Sequence, residues 1–198
     1  SFAQAVAVEN GKIIKVGTNE DVLELKDENT EVIDLEGKLV LPGFNDSHMH
    51  LLSYGSSLQN INLVGVESIE ELISKSKDFI KDNKIEEGKW VRGRGWNHDY
   101  FKGEKVFPTR YDLDKISTKH PIILTRACGH VVIANSKALE VGNITKDTPQ
   151  VEGGKFDIDE SGEPLGIFRE NSAMELMYLC VPEPTVEEIK TMLLDGMK

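Results

Sequence analysis

The chain has 198 residues, with 23 Lys and Arg against 34 Asp and Glu and a formal net charge of −11 at pH 7. That length suffices for one substantial core, and the acidic balance offers no basic field to phosphate backbones or anionic lipid, so neither nucleic acid nor a membrane is an expected partner. With 39% hydrophobic and 29% charged residues, the composition is that of a globular chain, not a disordered acidic one.

The predicted elements begin with short β-type runs at residues 3–8 and 12–16 around Asn10-Gly11, a dipeptide that accepts the positive φ angles of a tight hairpin turn. Residues 19–26 read as a short helix. Residues 31–35 and 38–41 read as a second strand pair around Glu36-Gly37, so that residues 1–42 form a small β layer. Pro42-Gly43 punctuates the chain, and residues 44–52 follow as a separate extended segment. The clearest helix spans residues 68–82: Ser68 and Glu71 have capping-box spacing, and Ile69, Leu72, Ile73, Phe79 and Ile80 share one face. Between residues 88 and 169 the pattern changes to short strands with Gly and Pro breaks, at 89–95, 121–126 and 130–134, followed by a hairpin over 155–168 turning at Ser161-Gly162. This stretch is expected to be an α+β insertion. Thr185 and Glu188 repeat the capping-box spacing, and Val186, Ile189, Met192 and Leu193 open a further helical stripe.

Cys128 and Cys180 stand far apart in no CxxC or Cys/His ladder, so neither a disulfide framework nor a structural zinc site is expected, and a reducing cytoplasm fits best. No apolar run approaches the ~18 residues of a membrane span, and the N-terminal residues lack a charged-then-apolar signal pattern.

The stretch that carries chemistry is Pro42-Gly43-Phe44-Asn45-Asp46-Ser47-His48-Met49-His50. Residues i and i+2 of a strand share a face, so His48 and His50 can share one metal, with Asp46 on the same side to accept a ring N–H and fix its tautomer. Neutral imidazoles suit zinc first, then iron, nickel or manganese. The spacing alone fits equally well two histidines packed at a strand end. There is no Walker loop, no GxGxxG after a strand, no GxSxG elbow and no nucleobase-deaminase zinc signature.

The run DLEGKLVLPGFNDSHMHL resembles the amidohydrolase superfamily, whose members share a P-G-[FLM]-[IVN]-D-x-H-x-H signature. Further blocks, GRGWNHDYF, PTRYDLDKIS, HPIILTRACGHVVIANSKALE, GGKFDIDESGEPLGIFRE and VPEPTVEEI, resemble in order the branch containing N-substituted formamide deformylases. The resemblance implies an α/β fold: a (β/α)8 barrel with its site at the carboxyl ends of the strands, and a β-sandwich built from both ends of the chain. On that plan residues 1–42 contribute to the sandwich, 43–66 form barrel strand 1 and its loop, 67–182 are the α+β insertion, and 183–198 begin a helix returning to the barrel. It implies a divalent metal, zinc, as one or two ions, with His48 and His50 among the ligands, and metal-assisted hydrolysis of a carbon–nitrogen bond in a small-molecule amide. The family's other ligands and its strand-8 Asp have no candidate after Glu170, and the opening lacks an initiator Met, so the chain is expected to be an N-terminal piece of a longer enzyme, inactive alone. Such a piece exposes apolar edges and is expected to self-associate. The alternative is a non-catalytic folding and substrate-shaping module without metal chemistry.

The same blocks single out candidate substrate-binding residues, each with a plainer role beside it. Trp96 and His98 in GWNHD line a pocket, or Trp96 anchors the core of the insertion. His130 stands near substrate, or orders a turn. Arg169 and Glu170 face the site, or pair with each other in a structural salt bridge. His120 reads as a loop residue, and Asp157, Asp159 and Glu160 as a solvated hairpin without the spacing of a calcium loop.

Overall fold

In the computed structural model, which describes residues 2–198, the chain divides into two units, Ser1–Ser47 and His48–Lys198. The first unit contains β1 (Ala5–Glu9), β2 (Lys12–Gly17) and α1 (Asn19–Leu23). The two strands pair antiparallel with Glu9 opposite Lys12, which leaves Asn10 and Gly11 to make the whole turn at φ 51° and 74°. Both residues tolerate this left-handed conformation, and its twist matches that of the flanking strands. Thr18 caps α1 reciprocally: its hydroxyl accepts from the Asp21 N–H at 3.2 Å, and the Asp21 carboxylate accepts from the Thr18 N–H at 3.3 Å.

The second strand pair expected over residues 31–41 does not form. Its turn is present, with Glu36 and Gly37 both at positive φ and the Lys38 N–H donating to the Leu35 carbonyl at 2.8 Å. The arms stay exposed, Val32, Ile33, Leu39 and Val40 included, so no burial supports a ladder, and Asp34 accepts the Glu36 N–H instead at 2.8 Å. Of the extended segment expected over residues 44–52, residues 44–50 likewise form no strand and Leu51 and Leu52 open a helix. A strand exists through its ladder, and no strand among the described residues pairs with this segment.

The second unit opens on α2 (Leu51–Leu58) and β3 (Ile61–Asn62), followed by α3 (Ile69–Asp82) and β4 (Val91–Trp96). A 3-10 turn at His98–Tyr100 precedes α4 (Arg110–Asp114), β5 (Ile122–Arg126), β6 (Val131–Ala134) and α5 (Ser136–Val141). The hairpin β7 (Lys155–Ile158) and β8 (Pro164–Arg169), then α6 (Glu170–Tyr178) and α7 (Val186–Gly196), complete it. Six strands make one mixed sheet in the order β3-β4-β5-β6-β8-β7, in which β3, β4 and β5 run parallel and the remaining neighbours pair antiparallel.

Helices cover both faces of this sheet, and the strand sequences show why. Ile122, Leu124, Val131, Ile133 and Ile167 pack into one core with Leu72 of α3 and Leu113 of α4. The intervening Ile123, Val132, Ala134 and Phe168 pack into a second core with Ala138 and Leu139 of α5 and Ala173, Met174 and Met177 of α6. Strands buried on both faces read as continuous apolar runs, as the Ile122–Arg126 and Val131–Ala134 sequences do. Each fully buried Val, Leu, Ile, Phe or Met among them contributes about 1.5–3 kcal/mol on burial.

The caps follow the expected spacing with one difference. Ser68 accepts from the Glu71 N–H at 3.0 Å, but the Glu71 carboxylate reaches past Ser68 to the Glu67 N–H at 2.8 Å. At α7 the Thr185–Glu188 box is complete, with bonds of 3.3 and 2.7 Å. Between α5 and the sheet, the fully buried Asn135 side chain accepts from the Ile122 and Ala138 N–H groups, each at 2.9 Å, and donates to the Ser117 and His120 carbonyls at 2.8 and 2.9 Å.

Helix α2 buries Gly55 alone, against α7. A Cβ at Gly55 would collide with the Met192 carbonyl oxygen, and one at Gly196 would stand 3.1 Å from the Leu51 carbonyl oxygen and 3.4 Å from the Gly55 Cα. Glycine inside a helix costs about 1 kcal/mol relative to alanine, and here it permits the two backbones to touch. No helix among the described residues is long and apolar enough to cross a membrane.

Candidate functional site

His50 is the N-cap residue of α2, at φ −97° and ψ 66°; its carbonyl accepts the Tyr54 N–H at 2.9 Å while its imidazole makes no capping bond. The rings of His48 and His50 lie 5.4 Å apart, centroid to centroid, edge to face at 81°. Two imidazoles sharing one zinc-like ion at about 2.0–2.1 Å per nitrogen, at a tetrahedral angle, have centroids roughly 5 Å apart, so the donors suit such an ion in chemistry and the centroid separation is of the same size. Both residues and Asp46 are exposed. Among the described residues no group of three or more His, Cys, Asp or Glu side chains is arranged to hold a metal ion.

The remaining candidates gather elsewhere, and topology brings them together. β4, β5 and β8 run in one direction and β6 in the other, so the carboxyl ends of the first three and the amino end of β6 share one rim of the sheet. Trp96, His98, His130, Arg169 and Glu170 all stand on or just beyond that rim.

Trp96 is fully buried, its indole N–H donating to the Leu124 carbonyl at 3.0 Å and its ring meeting Phe107 edge to face at 5.8 Å. It anchors the core. His98 lies against the Phe107 ring at 4.2 Å, and the Arg169 guanidinium stands over that same ring at 4.4 Å. Arg126 donates to Asn97 Oδ1 and Asp99 Oδ2, each at 2.6 Å. His98 Nδ1 and Arg126 Nε are both buried with no protein hydrogen-bond partner.

Arg169 does not pair with Glu170. It binds Asp157 of β7 in a two-pronged bridge, Nε to Oδ1 at 2.9 Å and Nη2 to Oδ2 at 2.6 Å, because adjacent residues at a strand end point apart whereas neighbouring strands bring side chains together. Asp157 is thus a salt-bridge partner, not the solvated residue expected. Glu170 turns away at φ 65°, a rare angle for a residue with a Cβ, and its N–H donates to the His130 carbonyl at 2.9 Å. Its carboxylate lies 3.5 Å from His130 Nδ1, with the two side chains 67% and 60% exposed for His130 and Glu170. His120, the loop residue expected, is a buried one, with Nδ1 2.8 Å from Ser117 Oγ and Nε2 3.2 Å from the Ile85 carbonyl.

Phe107, Arg126 and Asn135 escaped the reading of candidate residues. For Asn135 a signal existed, since Asn ahead of an apolar helical run is an N-cap; for Phe107 and Arg126 there was none.

Burial pushes the pKa of His98 below the ordinary imidazole value; Asp99 opposes this, while Arg126, Arg169 and Lys105 add to it. The unfolded chain takes up this proton at about pH 6.5 and the folded chain only lower, so the resulting stability is complete above about 6.5 and is lost as pH falls toward the folded value. One proton changes stability by at most about 1.4 kcal/mol per pH unit. Urea unfolding at pH 7.5 and 5.5 is expected to show a smaller loss in His98→Gln than in the unsubstituted protein. Equal losses in the two would mean that His98 titrates alike folded and unfolded.

The chain belongs to the amidohydrolase family, whose model, Amidohydro_3, matches residues 31–198. It is 37% identical over 197 residues to Protein LONG AFTER FAR-RED 3 of Arabidopsis thaliana, covering 100% of this chain and 33% of that one. It is 34% identical over 175 residues to the N-substituted formamide deformylase of Arthrobacter pascens, covering 87% and 32%. Among solved structures it is similar to an uncharacterized metal-dependent hydrolase from Pyrococcus horikoshii OT3, at 34% identity and a TM-score of 0.55, over 96% of this chain and 35% of that one. The chain thus spans about a third of the length of the relatives it matches.

Proposed function

We propose that the protein is a metal-dependent hydrolase that cleaves the carbon–nitrogen bond of a small, non-peptide, formamide-like amide, with His48 and His50 as two ligands of a divalent ion, zinc by the chemistry of the donors. The observation that carries this is the pair of imidazoles 5.4 Å apart, in a Pro-Gly-Phe-Asn-Asp-Ser-His-Met-His run within a chain of this family. A divalent ion bound there supplies Lewis acidity toward the amide carbonyl and a nucleophilic water at neutral pH. The chain's own residues hold that ion by imidazole nitrogen. At the rim of the sheet, exposed His130 and Glu170 are available to a substrate, while buried Trp96 and paired Arg169 fix the rim that carries them. On this reading the segment carrying His48 and His50 supplies the first strand of a (β/α)8 barrel, residues 1–42 strands of a β-sandwich, the six-stranded sheet from β3 onward the insertion and residues 183–198 a returning helix. Two free cysteines suit a reducing compartment, the cytoplasm.

The test is metal content and turnover of N-substituted formamides by the intact protein, beside its His48→Ala, His50→Ala double variant. We expect near-stoichiometric zinc or a similar metal, with metal and at least 10³-fold of activity lost together in the variant. Retained turnover in the folded double variant would end this reading.

A second reading, of a folding and substrate-shaping module with no activity, draws on one observation: no third metal donor joins the two histidines among the described residues. Turnover by the 198-residue chain alone would refute it.

A further inference from the structure

His50 is held by its backbone, because α2 starts at the next residue and takes the His50 carbonyl as its first acceptor, from the Tyr54 N–H at 2.9 Å. Whatever sets the direction of α2 therefore sets His50. Of the apolar side chains of α2, Leu52, Tyr54 and Leu58 are exposed, and Leu51 is half-buried against Gly196. The buried contact of the helix is Gly55, pressed on the carbonyl of Met192 in α7, with Gly196 one turn further along α7 against Leu51 and Gly55. At Gly55 the contact is backbone on both sides, so no flexible side chain absorbs an added methyl group and one helix must tilt or shift; at Gly196 the nearest atom is Leu51 Cδ1, at 3.0 Å, which can give.

We propose that Gly55 and Gly196 are positioning residues for the metal-binding histidines, and that the docking of α7 on α2 sets where His50 is held. This rests on the metal-binding reading above. Neither glycine touches the imidazoles; each acts through the helix that His50 caps.

The experiment is a zinc competition titration against a chromophoric chelator, with cobalt(II) visible spectra, on the intact protein and its Gly55→Ala, Gly196→Ala and His48→Ala, His50→Ala variants. Amide hydrogen exchange of each reports which elements remain folded. We expect Gly55→Ala to weaken zinc at least tenfold and to alter the cobalt band. Gly196→Ala, with the milder clash, should weaken it about two- to fivefold. In both, exchange should rise in α2 and α7 while β4, β5 and β6 keep their protection. A merely structural role would lower the melting temperature and leave zinc affinity and the cobalt band alone, and that result overturns the proposal. If Gly55→Ala does not fold, Gly196→Ala decides: faster exchange in α2 with unchanged zinc affinity overturns it, and faster exchange with weakened zinc supports it. Zinc binding that survives in the double histidine variant overturns the ligand assignment itself, and is recognised separately because α2 exchange in that variant stays at its unsubstituted level.

Discussion

Replacing Asn135 by Ala is expected to lower the unfolding free energy by about 3–5 kcal/mol. The buried amide meets four backbone groups at once: the N–H of Ile122 at the start of β5, the N–H of Ala138 in the first turn of α5, and the carbonyls of Ser117 and His120. Truncation removes a helix N-cap, worth about 1 kcal/mol, and leaves further buried donors and acceptors unmade at about 1–3 kcal/mol each. Asn135→Asp separates the two halves of the side chain. It keeps both acceptor bonds but turns the donors to two carbonyls into an oxygen, so it should recover only a minor part of the loss. Urea denaturation of the three proteins is the measurement, and a cost below 1 kcal/mol for the alanine variant would mean that the backbone groups find other partners.

Gly166→Ala is expected to cost more than about 3 kcal/mol, and Gly162→Ala only about 1–2 kcal/mol. Both glycines have positive φ, 80° and 85°, so both variants carry the same left-handed strain. They differ in space. At Gly162, in the turn of the β7–β8 hairpin, an added Cβ meets nothing within 4 Å; at Gly166, inside β8, it collides with the Ala134 carbonyl oxygen and stands 2.9 Å from the Arg110 Cβ. The difference between the two variants, measured by thermal or urea unfolding, therefore isolates the clash from the strain. Equal losses would show that β8 shifts freely away from β6 and α4.

What could be read from the residues was what depends on near neighbours in the chain. Asn10-Gly11 announces its hairpin because the turn needs positive φ at two successive positions, and the stripe of Ile69, Leu72, Ile73, Phe79 and Ile80 announces α3 because one face must be apolar. The strands over residues 88–169 were visible for the same reason. Their directions follow from the connections: the short loop at residues 127–130 turns β6 back against β5, and the long crossover carrying α4 brings β5 parallel to β4, whereas the full strand order is not encoded locally. Residues 51–58, Leu-Leu-Ser-Tyr-Gly-Ser-Ser-Leu, carry a weak helix pattern, and α2 exists through α7, a partner distant in sequence. At the candidate site the His48–His50 pair was plain, whereas the partners of the rim residues were not. Arg169 finds Asp157, and His98 finds Phe107, because the folded sheet and the loop before α4 bring them together.

The contact of α2 with α7 also governs the order of events during synthesis. α2 is made early, at residues 51–58, and its partner only at 186–196, after the entire six-stranded sheet. At about 5–20 residues per second, α7 leaves the ribosome on the order of ten seconds behind α2. An isolated helix of eight residues with glycine inside it is not stable in water. The segment carrying His48 and His50 therefore settles only after the sheet has formed, and a nascent chain stopped before residue 186 would hold a finished sheet beside an unfinished pair of histidines.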